Sequence, residues 1–254
     1  MYLVKDKSRI APLYEGWQET MIWSCLQDCM GYAYADDLEN PKSANIIVND
    51  FCFLAGEPSR DVVRYRPEEY QSDFIIMTPQ NEAWAALIEE EHKEKAGRRN
   101  RYAIKKEPDV FNQEALRQIV AGLPQGYSLR MIDRELYQRI LSMSWAEDLC
   151  SHFDNYEAYE KHGLGVVILK DGGIVSGASS YSWYHGGIEI EIDTRKDQRR
   201  RGLALVCGAR LILECLARGL YPSWDAHNPG SVTLAEKLGY HFEKEYPVYE
   251  IHHY

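Results

Sequence analysis

The sequence predicts a mixed α/β protein in which helices alternate with the strands of a mixed sheet. Short β-rich runs are separated by Gly, Asn, Asp and Pro, and longer segments repeat apolar residues at helical spacing. In the second half the order is strand, helix, three strands, helix, strand, helix and strand, an α/β pattern with an antiparallel front half. With 45% hydrophobic and 27% charged residues among 254, the chain can bury a sizeable core, which excludes disordered, collagen-like and coiled-coil proteins.

The strongest break in this pattern lies in the middle of the chain. Gly122, Pro124 and Gly126 fall within five residues, between a short helix and a strand. Because domains usually hold about 100–200 residues, the length allows one large domain or two smaller ones. We therefore predict an N-terminal α/β domain over residues 1–126 and a second domain over residues 127–254.

The first half is predicted to begin with a helix and to continue mainly as strands. Apolar residues recur at near-helical spacing between Pro12 and Gly31, which predicts one amphipathic helix there. The candidates that follow are strands Gly31–Ala35, Ala44–Val48, Phe51–Ala55 and Phe74–Met77, a helix around Trp84–Ile88, and strand Arg101–Lys106.

The second half contains the longest predicted helix. Apolar side chains line one face between Arg199 and Arg218, and Gly219 stands where the end of a helix favours glycine. The strand candidates are Tyr127–Ile132, Val166–Lys170, Ile174–Tyr181, Ile188–Thr194, Pro222–Ala226 and Tyr240–Ile251, and the other helix candidates are Arg134–Leu141 and Asn228–Leu238.

The two halves show a faint internal repeat. The strand Phe74–Met77, an Asn-bearing turn, a helix and another strand have the same order as Pro222–Ala226, Asn228, a helix and the last strand. Few residue identities match, and strand–helix–strand units are common. The N-terminal domain is therefore either a degenerate copy of the second domain or an unrelated α/β unit.

Charge and hydropathy limit the classes of partner. The net charge of -10 disfavours an extended surface for nucleic acid and favours a cationic ligand. No stretch approaches about 18 consecutive apolar residues, so no membrane span is predicted. Residues 1–10 carry charges without a following apolar region, so no signal peptide is expected and we predict a cytoplasmic protein.

The six cysteines are expected to be reduced thiols, because a chain of this length does not need disulfides for stability. Cys25 and Cys29 are four residues apart on a predicted helix, a spacing that can hold a metal. No second His or Cys pair with matching spacing lies nearby, and we predict no metal site.

The most informative segment runs from the strand Glu189–Thr194 through a short linker to Arg199–Ala204, which open the long helix. The first backbone N–H groups of a helix have no partner within it, and the helix dipole adds partial positive charge there. Gly202 and Ala204 would let a pyrophosphate approach the backbone, and Arg199, Arg200 and Arg201 would add charge. The segment therefore indicates an anion site, although an exposed basic first turn is the alternative.

This segment resembles the acyl-CoA pyrophosphate loop, Q/R-x-x-G-x-G/A, of the GNAT superfamily of N-acetyltransferases. A second GNAT pattern follows, an Asn, a small residue and a helix that closes on Gly-Tyr, here Asn228, Ser231 and Gly239-Tyr240. The resemblance covers residues 127–254 and says little about residues 1–126. The segment from Arg199 through Trp224–Asn228 to Gly239-Tyr240 resembles most closely the GNAT branch that contains the zwittermicin A resistance acetyltransferase.

The resemblance implies a GNAT fold in residues 127–254 and acetyl-CoA as cosubstrate. It implies a V-shaped opening between the parallel strands Ile188–Thr194 and Pro222–Ala226, where the pantetheine arm pairs with strand backbone. The implied cofactor-binding residues are Ile192, Asp193, Thr194, Arg199, Arg200, Arg201, Gly202, Leu203, Ala204, Asn228 and Ser231. For Asn228, capping of the last helix is an equally good explanation.

Transfer to an amine requires a base, and two carboxylates are candidates. Glu189 and Glu191 share one strand face, although a solvated polar face would explain them too, and a β-bulge would change which one points inward. The resemblance favours Glu191. The tyrosine that protonates the thiolate in many GNAT enzymes is replaced by Ala235, and the possible substitutes are Tyr181, Tyr184, Tyr221 and Tyr240.

The sequence therefore predicts an N-acetyltransferase that moves the acetyl group of acetyl-CoA directly to a small amine in a ternary complex. A non-catalytic acyl-CoA-binding or sensing protein is the alternative, because Ala235 stands at the usual tyrosine position. A tandem-GNAT aminoacyl transferase that uses charged tRNA is a third possibility, against which the negative net charge argues.

Overall fold

The computed structural model describes all residues from Met1 to Tyr254 and confirms a mixed α/β architecture. The chain forms two compact units. The first unit comprises Met1–Arg101 and Glu245–Tyr254, and the second comprises Tyr102–Lys244. None of the helices combines the length and the apolarity that a membrane crossing requires. All six cysteines are free thiols.

Thirteen strands and eight α-helices make up the chain. The strands are β1 (Tyr2–Leu3), β2 (Tyr32–Ala35), β3 (Ser43–Val48), β4 (Phe51–Gly56), β5 (Phe74–Pro79), β6 (Ala96–Ile104), β7 (Tyr127–Met131), β8 (Gly165–Lys170), β9 (Gly173–Tyr184), β10 (Gly187–Thr194), β11 (Tyr221–Ser223), β12 (Asp225–Ala226) and β13 (Phe242–His252). The helices are α1 (Thr20–Leu26), α2 (Arg60–Arg64), α3 (Glu82–His92), α4 (Gln113–Ala121), α5 (Arg134–Leu141), α6 (Tyr156–His162), α7 (Leu203–Ala217) and α8 (Pro229–Lys237).

The sheet of the first unit runs in the order β1, β2, β3, β4, β5, β13, β6. Strands β1 to β4 form an antiparallel meander, β4 and β5 are parallel, and β13 is antiparallel to β5. One sheet face packs on α2 and α3 through a core that includes Trp84 and Ile88. Every residue of β3 and all but the last residue of β4 are buried, because both faces of these strands are covered.

The helix predicted between Pro12 and Gly31 is shorter than expected. The segment instead contains a 3-10 turn, Ala11–Tyr14, and then helix α1, which spans only Thr20–Leu26. Gly16 lies between them with a φ of +79°, a left-handed conformation that ends a helical segment. The apolar spacing that predicted one helix therefore comes from two short elements.

The second unit has a five-stranded sheet in the order β11, β10, β9, β8, β7. All neighbours are antiparallel except β10 and β11, which are parallel. Helix α7 covers one face, with Val206 and Ile212 in the core, and α4 packs against α7. On the other face, α5 and α6 cover β8 and β9 with an aromatic core that includes Tyr137 and Tyr159.

The division between the units differs from the boundary expected at residues 126 and 127. Helix α4 belongs to the second unit, because Leu116 is buried in the same core as α7, and Ile119 and Val120 pack against that core. The residues that interrupt the sequence pattern, Gly122 to Gly126, therefore form a loop inside the second unit. The chain passes between the units within strands β6 and β13.

Candidate functional site

The parallel strands β10 and β11 stay paired over only three residues. Gly187, Ile188 and Glu189 pair with Tyr221, Pro222 and Ser223, and then the strands separate. Beyond Trp224 the chain continues as β12, which pairs with β6 instead of β10. From Ile190 to Thr194, β10 therefore has β9 on one side and no strand on the other.

The backbone groups that face this free edge belong to Ile192 and Thr194. Arg195 N–H donates to Val175 O on β9, and Asp193 O accepts from Ser176 Oγ of β9, so residues 193 and 195 face β9. Because neighbouring residues of a strand alternate in direction, Ile192 and Thr194 face the opposite side. Of the three backbones expected to pair with the cofactor, the structure therefore brings two to the edge, whereas the backbone of Asp193 faces β9.

The acidic residues of β10 form one row along the other face of the strand, opposite the isoleucines. The register shifts between Glu189 and Ile190, and Tyr181 is the extra residue, so the bulge lies in β9 and the alternation of β10 is uninterrupted. Ile188 and Ile190 point into the core beneath α7. Glu189, Glu191 and Asp193 therefore share the opposite face.

The two candidate bases differ in environment. Glu189 is only 4% exposed and lies between Ser182 of β9 and Ser223 of β11 in the sheet. Glu191 is half-buried, and its Oε1 accepts the N–H of Ile192 at 3.1 Å, which is one of the groups at the free edge. Glu191 is therefore the carboxylate that lies directly at the opening.

Asp193 has an unusual electrostatic environment. Burial raises the pKa of its carboxyl to about 6, the neighbouring Asp148 carboxylate adds to the rise, and Arg199 opposes it. Asp148 belongs to a 3-10 turn, Glu147–Leu149, that packs against β10. Sequence reasoning missed Asp148, because no local pattern relates it to β10.

Helix α7 begins with exposed backbone donors. Six of the eight α-helices have a side chain that caps the N-terminus, but α7, the longest of them, has none. Gly202 stands at the cap position with a φ of +80°, and a Cβ added there would meet no atom within 4 Å. The N–H groups of Leu203 and Ala204 follow in the first turn, and the open space beside Gly202 suits an anion.

The three arginines of this loop have different surroundings. Arg199 Nε donates to Thr194 O at 3.1 Å and so joins the loop to the free edge of β10. Arg200 and Arg201 are exposed, and Arg200 has a φ of +60°. A negatively charged group at the helix start would therefore meet both backbone N–H groups and cationic side chains.

A sequence model of the GNAT acetyltransferase family matches residues 11–249. The chain belongs to the GNAT acetyltransferase family. This confirms the predicted family, the α/β GNAT fold and the assignment as an acetyltransferase enzyme. The match includes most of the first half, so the family relationship extends well beyond the residues 127–254 that carry the sequence motifs.

Known proteins agree with this assignment. The chain is 28% identical over 243 residues to the "Uncharacterized N-acetyltransferase YdfB" of Bacillus subtilis strain 168, a match that covers 91% of this chain and 89% of the relative. It is 46% identical, with a TM-score of 0.91, to the crystal structure of a GCN5-related N-acetyltransferase-like protein from Streptococcus suis 89/1591, over 97% of this chain and 98% of that one.

A tandem GNAT protein from the clavulanic acid biosynthesis pathway has the same general fold. Its structure aligns with a TM-score of 0.54 and 9% identity over 100% of this chain and 98% of that one. At this identity the similarity concerns the fold alone.

The second GNAT motif, at α8, is held by local hydrogen bonds. Asn228 Oδ1 accepts Ser231 N–H at 3.0 Å and caps α8, which is the alternative role expected for Asn228. Ser231 Oγ accepts Trp224 Nε1–H at 3.1 Å, so its own hydroxyl hydrogen can still be donated. The sequence gives no signal for this contact of Trp224 with Ser231. The contact becomes visible only from the position of Trp224 between β11 and β12.

Ala235, which stands at the usual position of the acidic tyrosine, is fully buried. Burial raises the pKa of Tyr184, Tyr221 and Tyr240, and the charge of Glu189 contributes to each rise. Their hydroxyls are also engaged: Tyr240 donates to Pro222 O, and Tyr184 pairs with Ser223 Oγ. No group of three or more His, Cys, Asp or Glu side chains is placed to hold a metal.

Proposed function

We propose that this GNAT enzyme transfers the acetyl group of acetyl-CoA directly to a small amine. One observation supports the proposal most strongly: the free edge of β10 is followed, after the linker 195–202, by a helix whose N-terminus no side chain caps. An extended amide-bearing arm can pair with the strand edge while a pyrophosphate meets the helix start. CoA combines these two groups in one molecule.

The proposed cofactor contacts divide into three groups. Ile192 and Thr194 would pair with the pantetheine amides through the N–H and C=O groups at the edge. Leu203 and Ala204 would donate backbone N–H groups to the pyrophosphate beside Gly202, with charge from Arg199, Arg200 and Arg201. Asn228 and Ser231 would contact the cofactor from the start of α8. Asp193 would contact the cofactor only through its side chain.

The acidic row on β10 would handle the acceptor. A small amine arrives as an ammonium ion, which carboxylates attract. Glu191 would take one proton from the ammonium group, so that the amine lone pair can form the C–N bond, and the nitrogen would release a second proton to water as the amide forms. Bound acetyl-CoA supplies an acetyl thioester, whose C–S bond breaks as the sulfur leaves with its electron pair. Because a ligand that pairs with Ile192 N–H displaces Glu191 Oε1 from it, cofactor binding would free this carboxylate.

The chain would work without a dedicated general acid. Ala235 carries no donor, and the raised pKa values of Tyr184, Tyr221 and Tyr240 make these hydroxyls poor proton donors. A thiol has a reference pKa of about 8.5, so a thiolate can leave without being protonated first. We therefore propose that water protonates the CoA thiolate after transfer.

The nature of the amine follows only from the resemblance to the zwittermicin A resistance branch. The segment from Arg199 through Trp224–Asn228 to Gly239-Tyr240 carries that resemblance. It supports an aminated natural product as the acceptor class.

Two measurements test the proposal. At an acetyl-CoA concentration of about 100 times Kd, binding should add about 2.7 kcal/mol to the free energy of unfolding and raise the melting temperature. CoA release should then be followed with a panel of aminated natural products and simple polyamines. An unchanged melting temperature at millimolar acetyl-CoA would overturn the cofactor assignment, whereas binding without amine-dependent CoA release would indicate a non-catalytic acyl-CoA sensor.

A further inference from the structure

The linker between β10 and α7, residues 195–202, carries a continuous chain of hydrogen bonds. Tyr127 Oη donates to Gln198 Oε1 at 2.8 Å, and Gln198 Nε2 donates to Asp197 Oδ2 at 2.9 Å. Arg195 binds the same carboxylate with two donors, Nε to Oδ1 at 2.6 Å and Nη2 to Oδ2 at 2.9 Å. The chain therefore starts on β7, outside the linker, and ends at the residue that follows β10.

Gln198 is the residue that ties the linker to the body of the unit. It is 6% exposed, and every other residue from Arg195 to Gly202 is half-buried or exposed. The amide uses its oxygen toward Tyr127 and its nitrogen toward Asp197. A buried amide costs free energy unless both ends are bonded, so this position is stable only while Tyr127 supplies its hydroxyl.

Asp197 remains ionised within this chain. The hydrogen bond from Arg195 is the main cause that lowers the pKa of Asp197, and the bond from Gln198 lowers it further. Both Arg195 and Asp197 are substantially exposed, so their ion pair adds little stability by itself. Its effect is geometric, because the bidentate pair orients Asp197 toward Gln198.

The residues that follow need such an anchor. Arg200 and Gly202 both have positive φ values, and all four residues from Arg199 to Gly202 are exposed. Ordering a free backbone costs about 1–2 kcal/mol per residue. A linker held in place before the ligand arrives avoids this cost at the moment of binding.

We infer that Tyr127 and Gln198 are positioning residues, which hold the anion loop at the start of α7 in the conformation that receives the pyrophosphate of CoA. Neither residue is among the proposed cofactor contacts. The inference rests on the proposed cofactor, and it assigns the loop's affinity partly to a hydroxyl on the opposite edge strand of the sheet.

Tyr127→Phe is the sharpest test, because it removes only the hydroxyl. The ring, over which Lys170 Nζ lies 5.4 Å from the centroid, is retained. We expect the Kd of CoA, measured by titration calorimetry, to rise about tenfold. The stabilisation produced by millimolar pantetheine, which lacks the pyrophosphate, should not change. In turnover assays the KM for acetyl-CoA should rise while kcat at saturation stays the same.

Tyr137→Phe is the matched control. It also removes a hydroxyl that donates to a partner within the unit, Phe153 O at 3.3 Å, but far along the chain from the linker. It should lower the melting temperature without changing the Kd of CoA. Gln198→Leu should raise the Kd of CoA as much as Tyr127→Phe does. The double variant should bind CoA little more weakly than either single variant, because all three break the same chain of hydrogen bonds.

Two results would overturn the inference. One is an unchanged Kd for CoA in Tyr127→Phe while Gly202→Ala weakens CoA binding. The other is an equal loss for CoA and pantetheine, which would show general damage to the site. If Gly202→Ala also leaves the Kd of CoA unchanged, the proposed cofactor loop itself is wrong, so the two failures can be told apart.

Discussion

The two parallel strand pairs of the molecule differ in how far they stay paired. In the first unit, β4 and β5 pair from Phe51 opposite Ile76 to Leu54 opposite Pro79, and Gln80 N–H then donates to Leu54 O. In the second unit, β10 and β11 separate after Glu189 and Ser223. The pair β4 and β5 therefore has no free edge beyond its last paired residues. The pair β10 and β11 leaves the edge of β10 free for a ligand.

The helix that follows each pair shows how this difference arises. Asn81 caps α3 and Asn228 caps α8, each through its side-chain oxygen. Three residues after the cap, the first unit has Trp84, which is fully buried and donates its indole N–H to Gly56 O at the end of β4. The second unit has the small, half-buried Ser231 at this position. A large side chain closes one pair, and a small one leaves the other open.

The two units differ in the parts of a cofactor site that they contain. The order strand, Asn-capped helix, strand occurs twice in the chain, as β5, α3, β6 and as β12, α8, β13, which is the order of the faint repeat in the sequence. Only the second unit combines an open pair with the arginines and Gly202 at an uncapped helix start. We propose that the first unit is a GNAT-like scaffold without a cofactor site.

Trp84→Ala should produce the largest effect and act on stability alone. Removing a fully buried indole from a core typically costs about 3–5 kcal/mol. We expect this loss in the free energy of unfolding by urea, with an unchanged Kd for CoA in the folded protein. Binding of a second CoA per chain would contradict the comparison, because it would show that the tryptophan covers a latent site.

Ser231→Trp makes the opposite exchange. The larger side chain should occupy the opening in the second unit and abolish measurable CoA binding, while circular dichroism shows a folded protein. Ser231→Ala is the control, since it removes the hydroxyl without adding bulk. Normal CoA affinity in Ser231→Trp would place the cofactor elsewhere.

Glu191→Gln should reduce kcat by about 100-fold, the lower end of the usual effect of removing a general base. The side chain keeps its shape, so the Kd of acetyl-CoA should not change. The rate should partly recover as the pH rises, because more of the amine is then deprotonated. Glu189→Gln is the control on the same strand face. Equal small effects of both variants would show that these carboxylates form a solvated polar face and do not act as a base.

Gly202→Ala should weaken CoA binding by about 30-fold because its Cβ enters the space proposed for the pyrophosphate. It should also cost about 1–2 kcal/mol of stability, since alanine is strained at a φ of +80°. Gly219→Ala is a matched control at the other end of α7, with a φ of +69° and equally open space. Both variants should lose similar stability, and only Gly202→Ala should lose affinity.

Asp193→Asn should give the smallest effect, a pH-dependent gain in stability. The folded-state pKa of about 6 lies above the ordinary aspartate pKa of 3.8, so the folded protein binds the proton more tightly than the unfolded chain. Stability should therefore fall as the pH rises from about 4 to about 6, and Asp193→Asn should remove this fall. The gain at pH 7 should be about 1 kcal/mol, because the carboxyl is partly exposed. Equal pH profiles for both proteins would refute the raised pKa.

Local patterns predicted most of the regular structure. The sequence predicts helix α5 with its observed bounds, Arg134–Leu141, and the structure shows that Asp133 caps it. The long helix starts at Leu203 instead of Arg199, since Gly202 adopts a left-handed conformation before it. Strand β1 and helix α2 were not predicted, because elements of two and five residues carry no periodic signal.

The sequence by itself determined the chemistry of the candidate site. The arginines, Gly202 and the Asn228 cap lie close together in the chain, so their spacing could be interpreted without a structure. The row of carboxylates on β10 also follows from a period of two residues. These features are local, and each depends on a few consecutive residues.

Only the tertiary structure decided how these parts form an opening. Pro222–Ala226 was expected to be one strand, but it divides at Trp224 into β11 and β12, because β12 pairs with β6. The burial of Asp193 near Asp148 and the anchoring of Gln198 by Tyr127 are equally non-local. The partner of a strand edge or a buried polar group comes from distant parts of the chain, and side-chain periodicity carries no information about it.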